Sequence, residues 1–344
     1  MRYGFLLAFR NPPRWRLPWT EIYRQHIEQA EFAEALGFDE VWLTEHHFVE
    51  DGWSPSLLPI ASALAMRTQK IRIGTFVMLL PLGKHPVQVA EDATTVDILS
   101  NGRLDLGLGL GYRREEFAGY GVSRKQRRGR MEEGLEIIRR AWSEETFSFE
   151  GKYFNLENVS MMPRPVQSKP PIWVGGMTEA SVLRAAKFKF HLAGTGAEQL
   201  QKMYDDALKK SGEVPADFRI SQLRLTFLAE SKKEAWDLAE EHIYYMLDSY
   251  DRWYKAAADS EDLKDTMSVS SIPEPPKLRE TEGLSFFGAP LIVGTPEDAI
   301  EELSGYAERS RVTDLVFWTQ LAGMDTHVAR RSMQLLAEEV LPNL

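Results

Sequence analysis

The sequence predicts an α/β protein with a (β/α)8 TIM barrel. Short apolar runs rich in β-branched and aromatic residues alternate with segments of helical period along most of the 344 residues. The runs are almost continuously apolar, which indicates parallel strands buried on both faces. Eight such strands with intervening helices close naturally into a barrel, and a doubly wound open sheet is the alternative.

The predicted elements follow in chain order. The predicted strands are 2–8, 38–44, 70–79, 102–111, 171–176, 188–194, 218–229 and 312–319. The predicted helices are 19–37, 56–68, 85–100, 127–143, 178–187, 197–212, 232–258 and 328–342. Gly37 ends the first helix, and Pro86 lies in the first turn of the third, where a missing N–H costs little. The alternating segment 146–159 predicts a small hairpin.

One region interrupts the strand–helix rhythm. Residues 258–290 are charged and proline-rich and have no clear periodicity. We expect an insertion before the eighth strand, which acts either as a mobile lid or as a flexible surface loop. The rest of the chain is predicted to form one barrel domain over 1–344.

Composition excludes several classes of function. The chain has no cysteine, which removes disulfides, thiolate nucleophiles and cysteine-bound metals. A net charge of -10 disfavours nucleic acid and anionic membranes as partners. No run approaches the ~20 apolar residues of a membrane-spanning helix. We therefore expect a cytoplasmic protein that acts on a small molecule.

Ionisable residues follow the second predicted strand in the segment VWLTEHHF, 41–48. The carboxyl ends of barrel strands are where active sites form, so His46 and His47 are the candidate catalytic residues. Neighbouring strand residues point to opposite faces, which argues against both binding one metal ion. A purely structural role for both histidines is the second alternative. Proton transfer by at least one is favoured, because histidine titrates near neutral pH.

Glycines at two other strand ends suggest a cofactor site. A strand ends at Gly175 and Gly176 and a helix begins at Thr178, so a phosphate could bind the backbone N–H groups of Gly176, Met177 and Thr178. The alternative is that turn geometry alone requires these glycines. The segment GLGLG, 107–111, lacks the full dinucleotide-binding pattern, and we expect it to make room for a flat ligand.

Four segments carry a resemblance to a known family, namely GFDEVWLTEHHF, KIRIGTFVMLLPLGKHPVQVAEDATTVDILSNGRLDLGLGLGY, PRPVQSKPPIWVGG and AEEVLPNL. Together they resemble the bacterial luciferase-like flavin-dependent monooxygenases. The resemblance runs in order over nearly the whole chain. It implies a barrel with reduced FMN at its mouth, a separate flavin reductase, O2, a small hydrophobic organic substrate and a homodimer.

The resemblance also assigns residues. It implies that His46, with His47 beside it, is the catalytic base, and that the peptide between Phe76 and Val77 is cis beneath the flavin. The remaining cofactor-binding residues that it suggests are Gly109, Tyr112, Arg130, Gly175, Gly176, Met177 and Thr178. Gly109 and Leu110 replace a reactive cysteine and a phosphate-binding arginine of the luciferase alpha subunit. Light emission is therefore not expected, and the phosphate must depend more on backbone N–H groups and other basic residues.

Two other functions fit the resemblance. A deazaflavin-dependent dehydrogenase or reductase would use the same barrel for hydride transfer, with His46 or Glu45 as the acid/base. The other possible function is that of a non-catalytic flavin-binding subunit, although the retained Glu45-His46-His47 argues against it. Aromatic residues near strand ends suit a hydrophobic substrate or simply pack the loops; they are Trp15, Trp19, Phe48, Trp53 and Trp318.

Overall fold

The protein is described by a computed structural model over residues 1–194, 197–257, 277–281 and 283–344. Eight parallel strands form a closed barrel, as predicted. They are β1 (Arg2–Leu7), β2 (Glu40–Leu43), β3 (Arg72–Thr75), β4 (Leu104–Gly109), β5 (Ile172–Gly175), β6 (His191–Ala193), β7 (Ile220–Leu228) and β8 (Asp314–Trp318). Each strand pairs with its sequence neighbour, and β8 pairs with β1 through Phe5 and Phe317, which closes the ring.

The principal helices lie outside the barrel. They are α1 (Trp19–Ala35), α2 (Leu57–Arg67), α3 (Pro86–Leu99), α4 (Arg127–Ser143), α5 (Glu179–Phe188), α6 (Glu198–Lys210), α7 (Lys232–Ala257) and α8 (Thr326–Leu335). Their apolar faces and the outward side chains of the strands, such as Phe5, Val41 and Ile73, form the larger buried core. Segments Phe147–Glu150 and Asn155–Val159 pair as the predicted antiparallel hairpin.

Some predicted boundaries differ from the structure. The third strand divides after Thr75 and resumes as a short pair at Met78–Leu79, and the peptide between Phe76 and Val77, in the gap, is cis. The sixth strand begins at His191, because α5 continues to Phe188 and ends in a left-handed turn at Lys189. A short helix, Arg114–Gly119, lies between β4 and α4, where no element was predicted.

The predicted insertion at 258–290 falls largely outside the described residues, which omit 258–276 and 282. Its described end contains a helical turn at Lys277–Glu280 and a hairpin of Ser285–Phe286 with Ala289–Pro290. A strand at Ile292–Gly294 and a helix at Pro296–Leu303 then lead towards β8. Across the described ranges, none of the helices combines the length and apolar character needed to cross a bilayer.

Two tryptophans fill the barrel interior beneath its carboxyl end. Trp42 and Trp173 are fully buried and meet edge to face, with ring centroids 5.4 Å apart. Their indole N–H groups donate to the carboxylates of Glu40 at 2.9 Å and Asp105 at 3.0 Å. These two indole rings therefore fill the lower interior, below the level at which the carboxyl ends of the strands converge.

Candidate active site

A cavity of about 230 Å³ opens at the carboxyl end of the barrel. All eight strands, or the turns that follow them, contribute to its wall, which also includes residues from α4, α5 and α7. The strand-derived lining residues include Leu6, Thr44, Glu45, His46, Phe76, Val77, Leu79, Gly109, Tyr112, Gly175, Gly176, Ala193, Gly194, Leu223 and Trp318. One enclosed space thus brings together most of the predicted site residues, namely His46, Phe76, Val77, Gly109, Tyr112, Gly175, Gly176, Met177 and Thr178.

The floor of the cavity depends on close packing between β4 and the cis segment. A Cβ atom on Gly109 would lie 2.3 Å from Val77 Cγ2, and one on Gly107 would lie 1.9 Å from the Thr75 carbonyl oxygen. Both distances are too short for a side chain. A side chain at either position would therefore clash with the third strand. Gly109 lines the cavity, and the expectation that the glycine segment makes room for a flat ligand stays a prediction.

His46 lies in the wall with one ring nitrogen engaged. Its Nδ1 is 2.8 Å from Oε1 of Glu116, and the pair is almost fully buried. The same oxygen accepts the backbone N–H of His47 at 3.0 Å and Nη1 of Arg113 at 3.3 Å. Three donors converge on one carboxylate oxygen, so Glu116 holds both the ring and the backbone of the His46 segment.

The ionisation of Glu116 decides which nitrogen of His46 carries the proton. Burial acts to raise the pKa of Glu116, but the charge of His46, the two hydrogen bonds from His46 and His47, and Arg113 together lower it below its ordinary value. An ionised carboxylate only accepts, so Nδ1 of His46 donates to it. With Nδ1 as the donor to Glu116, Nε2 is the ring nitrogen that can accept a proton at the cavity.

His47 is placed differently, although it is adjacent in sequence. Its Nε2 is 2.7 Å from Oε1 of Glu45, and its Nδ1 is 3.1 Å from the hydroxyl of Tyr120. Lys84 donates to the same Glu45 oxygen at 2.5 Å. Because both ring nitrogens are engaged and His47 is absent from the cavity lining, His46 is the better placed of the two for chemistry.

Aromatic rings enclose His46. Trp53 and Trp253 lie 4.7 and 4.9 Å from its ring centroid, and Tyr112 stacks on Tyr254 at 4.8 Å. Burial raises the pKa of Tyr112, Tyr250 and Tyr254, so these phenols stay neutral near pH 7. The aromatic rings around the histidine are therefore uncharged, whereas Glu45 also lines the cavity and Glu116 contacts the His46 ring.

Only some of the aromatic residues that were predicted to lie near strand ends are found at the cavity. Trp318 lines the cavity and Trp53 contacts His46. Trp15 packs on His242 at 4.5 Å, and Trp19 and Phe48 are 43% and 60% exposed. The lining aromatics that sequence reasoning missed are Tyr250 and Tyr254 of α7 and Phe287 of the hairpin.

The opposite end of the cavity is cationic. Arg127 and Arg128 of α4 and Arg184 of α5 line it. Arg130 does not line it, because its guanidinium lies over the ring of Phe154, 5.0 Å from the centroid. Burial lowers the pKa of Arg184, an effect that Glu132 partly offsets. The structure thus brings three arginines to this end, none of them the one predicted.

The turn that leads into α5 also differs from expectation in detail. The N–H of Gly176 donates to the Ala193 carbonyl at 2.8 Å, and the N–H of Thr178 donates to Ser181 Oγ at 3.0 Å. Thr178 and Ser181 form a capping box. Two of the three N–H groups predicted to bind phosphate are therefore used within the protein. The N–H of Ser181 also donates to Thr178, so within the first turn the N–H groups of Glu179 and Ala180 are those left for an anion.

Metal chemistry gains no geometric support. Over the described ranges, no three side chains of His, Asp or Glu come together as a metal site would require.

Glu116 and Arg184 are the principal residues that sequence reasoning missed. The paired acids Glu115 and Glu116 after Arg113 are a helix-start signal that could have revealed the first, whereas nothing local distinguishes Arg184 from a surface arginine.

Comparison with known proteins identifies the class. The family model described as luciferase-like monooxygenase matches residues 1–313, so the chain belongs to the luciferase-like monooxygenase family. The resemblance inferred from the sequence is confirmed. Relatives in this family fall into at least two chemistries.

The oxygenase component of flavin-dependent trigonelline monooxygenase from Acinetobacter baylyi is 25% identical over 339 residues, which cover 94% of this chain and 90% of that protein. The F420-dependent glucose-6-phosphate dehydrogenase of Amycolatopsis mediterranei is 28% identical over 333 residues, with 93% and 94% covered. Among solved structures, monooxygenase RslO1 from Streptomyces bottropensis matches with a TM-score of 0.82 at 25% identity, covering 99% of each chain.

Proposed function

We propose that this chain is the oxygenase component of a two-component flavin-dependent monooxygenase. It would take reduced FMN from a separate reductase and use O2 to oxygenate a small hydrophobic substrate. The observation that carries the proposal is one cavity with two unlike ends. His46 and an aromatic wall lie at one end, and three arginines with the start of α5 lie at the other.

The residues present fit FMN. A flat ring is accommodated by the apolar surfaces of Phe76, Val77 and the facing tyrosines, and a phosphate by the arginine end. When bound, reduced FMN supplies the electrons that activate O2. The chain supplies positioning, exclusion of water and a proton-transfer group.

His46 is proposed as that proton-transfer group. Glu116 fixes Nδ1 as the donor, so Nε2 can accept a proton from a reacting group in the cavity and return it later. The neutral phenol of Tyr112, which lies 5.9 Å from the His46 ring, adds a donor without adding charge. The aromatic wall limits water near this nitrogen and suits an apolar substrate.

Hydride transfer to or from a deazaflavin coenzyme is the second candidate. It is favoured by similarity to the Amycolatopsis dehydrogenase over 93% of this chain, at an identity comparable with that of the trigonelline enzyme. The buried His46–Glu116 pair suits acid/base chemistry on an alcohol as well as it suits oxygenation. The two candidates differ in cofactor and in their need for oxygen.

An anaerobic titration separates them. The purified chain is titrated with reduced FMN and, separately, with reduced deazaflavin coenzyme, and oxygen uptake is then followed with a panel of aldehydes, ketones and N-heterocycles. Tighter binding of reduced FMN and substrate-dependent oxygen uptake support the monooxygenase. Binding of deazaflavin alone, with no oxygen uptake, would overturn it in favour of hydride transfer.

A pair of neighbouring variants tests the histidine assignment in the same assay. His46→Asn keeps a donor towards Glu116 but removes Nε2, and turnover should fall by about 10²–10⁴-fold with flavin affinity largely kept. His47→Asn is the matched control and should cost far less, because His47 does not line the cavity. Equal losses in the two variants would contradict the assignment.

A further inference from the structure

The cationic end of the cavity contains a side chain whose role the proposed function leaves open. Arg184 lies in the second turn of α5 and is 6% exposed, although it is a long charged residue. It lines the cavity, and its buried Nε has no hydrogen-bond partner. A desolvated guanidinium with an unused donor is costly unless an anion compensates it.

The nearest acid compensates Arg184 only weakly. Glu132 of α4 approaches Nε of Arg184 to 3.7 Å, which is too long for a hydrogen bond. The same carboxylate is held at 2.6 Å by Nζ of Lys187, whose side chain is 62% exposed. Glu132 therefore faces solvent and Lys187, and the inner side of the Arg184 guanidinium is left towards the cavity.

Helix geometry adds a second source of anion binding at this place. Thr178 caps α5, and the helix begins at the cavity wall with Ala180 and Ser181 lining it. Arg184 lies one turn after Ala180 on the same helix, so its positive charge is added to that of the helix N-terminus. Residue 110, which also lines the cavity, is leucine and offers no charge.

We propose that Arg184, acting with the first turn of α5, is the residue by which this chain recognises the phosphate of its flavin. The inference rests on the proposed flavin-binding function and assigns within it the source of selectivity for FMN over riboflavin. Arg184 is a binding residue in this role, because it lies on α5, whereas the proposed proton-transfer group His46 follows β2.

The test compares reduced FMN with reduced riboflavin, which lacks only the phosphate. Dissociation constants are measured anaerobically by fluorescence quenching, so the readout does not depend on turnover. The wild-type chain should bind FMN much more tightly than riboflavin. Arg184→Met, which keeps a buried apolar stem, should weaken FMN binding by about 10–100-fold, the equivalent of one charged hydrogen bond or more. Its affinity for riboflavin should not change.

Three further variants make the result specific. Lys187→Met removes a positive charge from the same helix outside the cavity, and it should change neither affinity. Glu132→Gln removes the competing carboxylate and should tighten FMN binding only. Arg184→Lys keeps the charge without the planar fork and should give an intermediate loss, which covers the case that the methionine variant does not fold.

The outcomes distinguish a failure of the Arg184 assignment from a failure of the proposed flavin-binding function. An Arg184→Met variant that binds FMN as wild type does, or loses FMN and riboflavin equally, would overturn the inference while leaving flavin binding intact. So would a Lys187→Met variant with the same selective loss. A wild-type chain that binds neither flavin would overturn the proposed function, and the inference with it.

Discussion

Glu116 allows a sharp test of how the site is built, through Glu116→Gln. The three donors from His46, His47 and Arg113 all reach one carboxylate oxygen, at 2.8, 3.0 and 3.3 Å. A glutamine carbonyl in the same position keeps every contact and removes the charge. The other carboxylate oxygen is buried without a hydrogen-bond partner, so the new amide group would be an unsatisfied buried donor.

The expected cost follows from the loss of charge. Hydrogen bonds to a charged acceptor are worth about 1.5–3 kcal/mol each and neutral ones about 0.5–1.5 kcal/mol. Two of the donors, Arg113 and His46, gain most from the charge, so Glu116→Gln should lower the free energy of unfolding at pH 7 by about 2–3 kcal/mol. Glu116→Ala also leaves Arg113 buried without its partner and should cost about 3–5 kcal/mol.

The pH dependence gives an independent check. The folded-state pKa of Glu116 is lowered from the ordinary value of 4.5. Its contribution to stability is therefore present above pH 4.5 and is lost as pH falls through the folded-state pKa. The stability gap between wild type and Glu116→Gln should be full at pH 7 and should close at lower pH.

Urea unfolding at pH 7 and at several lower pH values measures this gap. The neighbouring Glu115→Gln is the matched control, because Glu115 is 54% exposed in its side chain and its contact with Arg113 is 3.9 Å. It should change stability by less than about 0.5 kcal/mol. NMR of the His46 ring should show the Nδ1–H tautomer in wild type. A pH-independent gap, or a wild-type Nε2–H tautomer, would refute the reasoning.

Three other predictions concern packing and titration. Gly109→Ala should destabilise the fold by about 1–3 kcal/mol through the clash with Val77. In a double-mutant cycle of unfolding free energies, Val77→Ala should recover part of that loss. Additive losses in the double variant would contradict the contact. Burial lowers the pKa of His26 and of His191 to about 4, so the stability of the fold should fall as pH drops from 6.5 towards 4. His26→Gln should flatten the curve of thermal midpoint against pH. An unchanged curve would count against a neutral buried ring. Burial, and then the charge of Glu40, raises the pKa of Asp314 to about 8. The contribution of its protonated carboxyl group to the stability of the fold should therefore be lost as pH rises from about 4 to 8. Asp314→Asn should gain stability relative to wild type over that window, and a constant difference would disprove the shift.

The sequence predicted the barrel because each strand carries its own signal. Continuous apolar runs such as 102–111 and helical periods such as 127–143 are local patterns, and closure into eight units follows from their number. The position of His46 at a strand end was also readable, since barrel sites form there. The cis peptide at Phe76–Val77 was implied by the resemblance and agrees with the structure.

The partners of those residues were not readable. Glu116 lies 70 positions from His46, in a short helix to which the sequence analysis assigned no element. Only the fold of the segment after β4 brings it to the ring. Arg130 matched the expected place for a phosphate ligand, yet the rotation of α4 turns it onto Phe154 and turns Arg127 and Arg128 to the cavity.

The sequence by itself therefore determined the architecture, the family and the strand ends at which chemistry gathers. Tertiary structure alone decided that His46 and not His47 faces the cavity, that Val77 fills the space beside Gly109, and that Arg184 is buried at the anion end. The physical reason is the separation along the chain over which each kind of signal acts. Periodicity and turn chemistry act over a few neighbouring residues, whereas the direction of a side chain at the barrel mouth is set by loops and helices from distant parts of the chain.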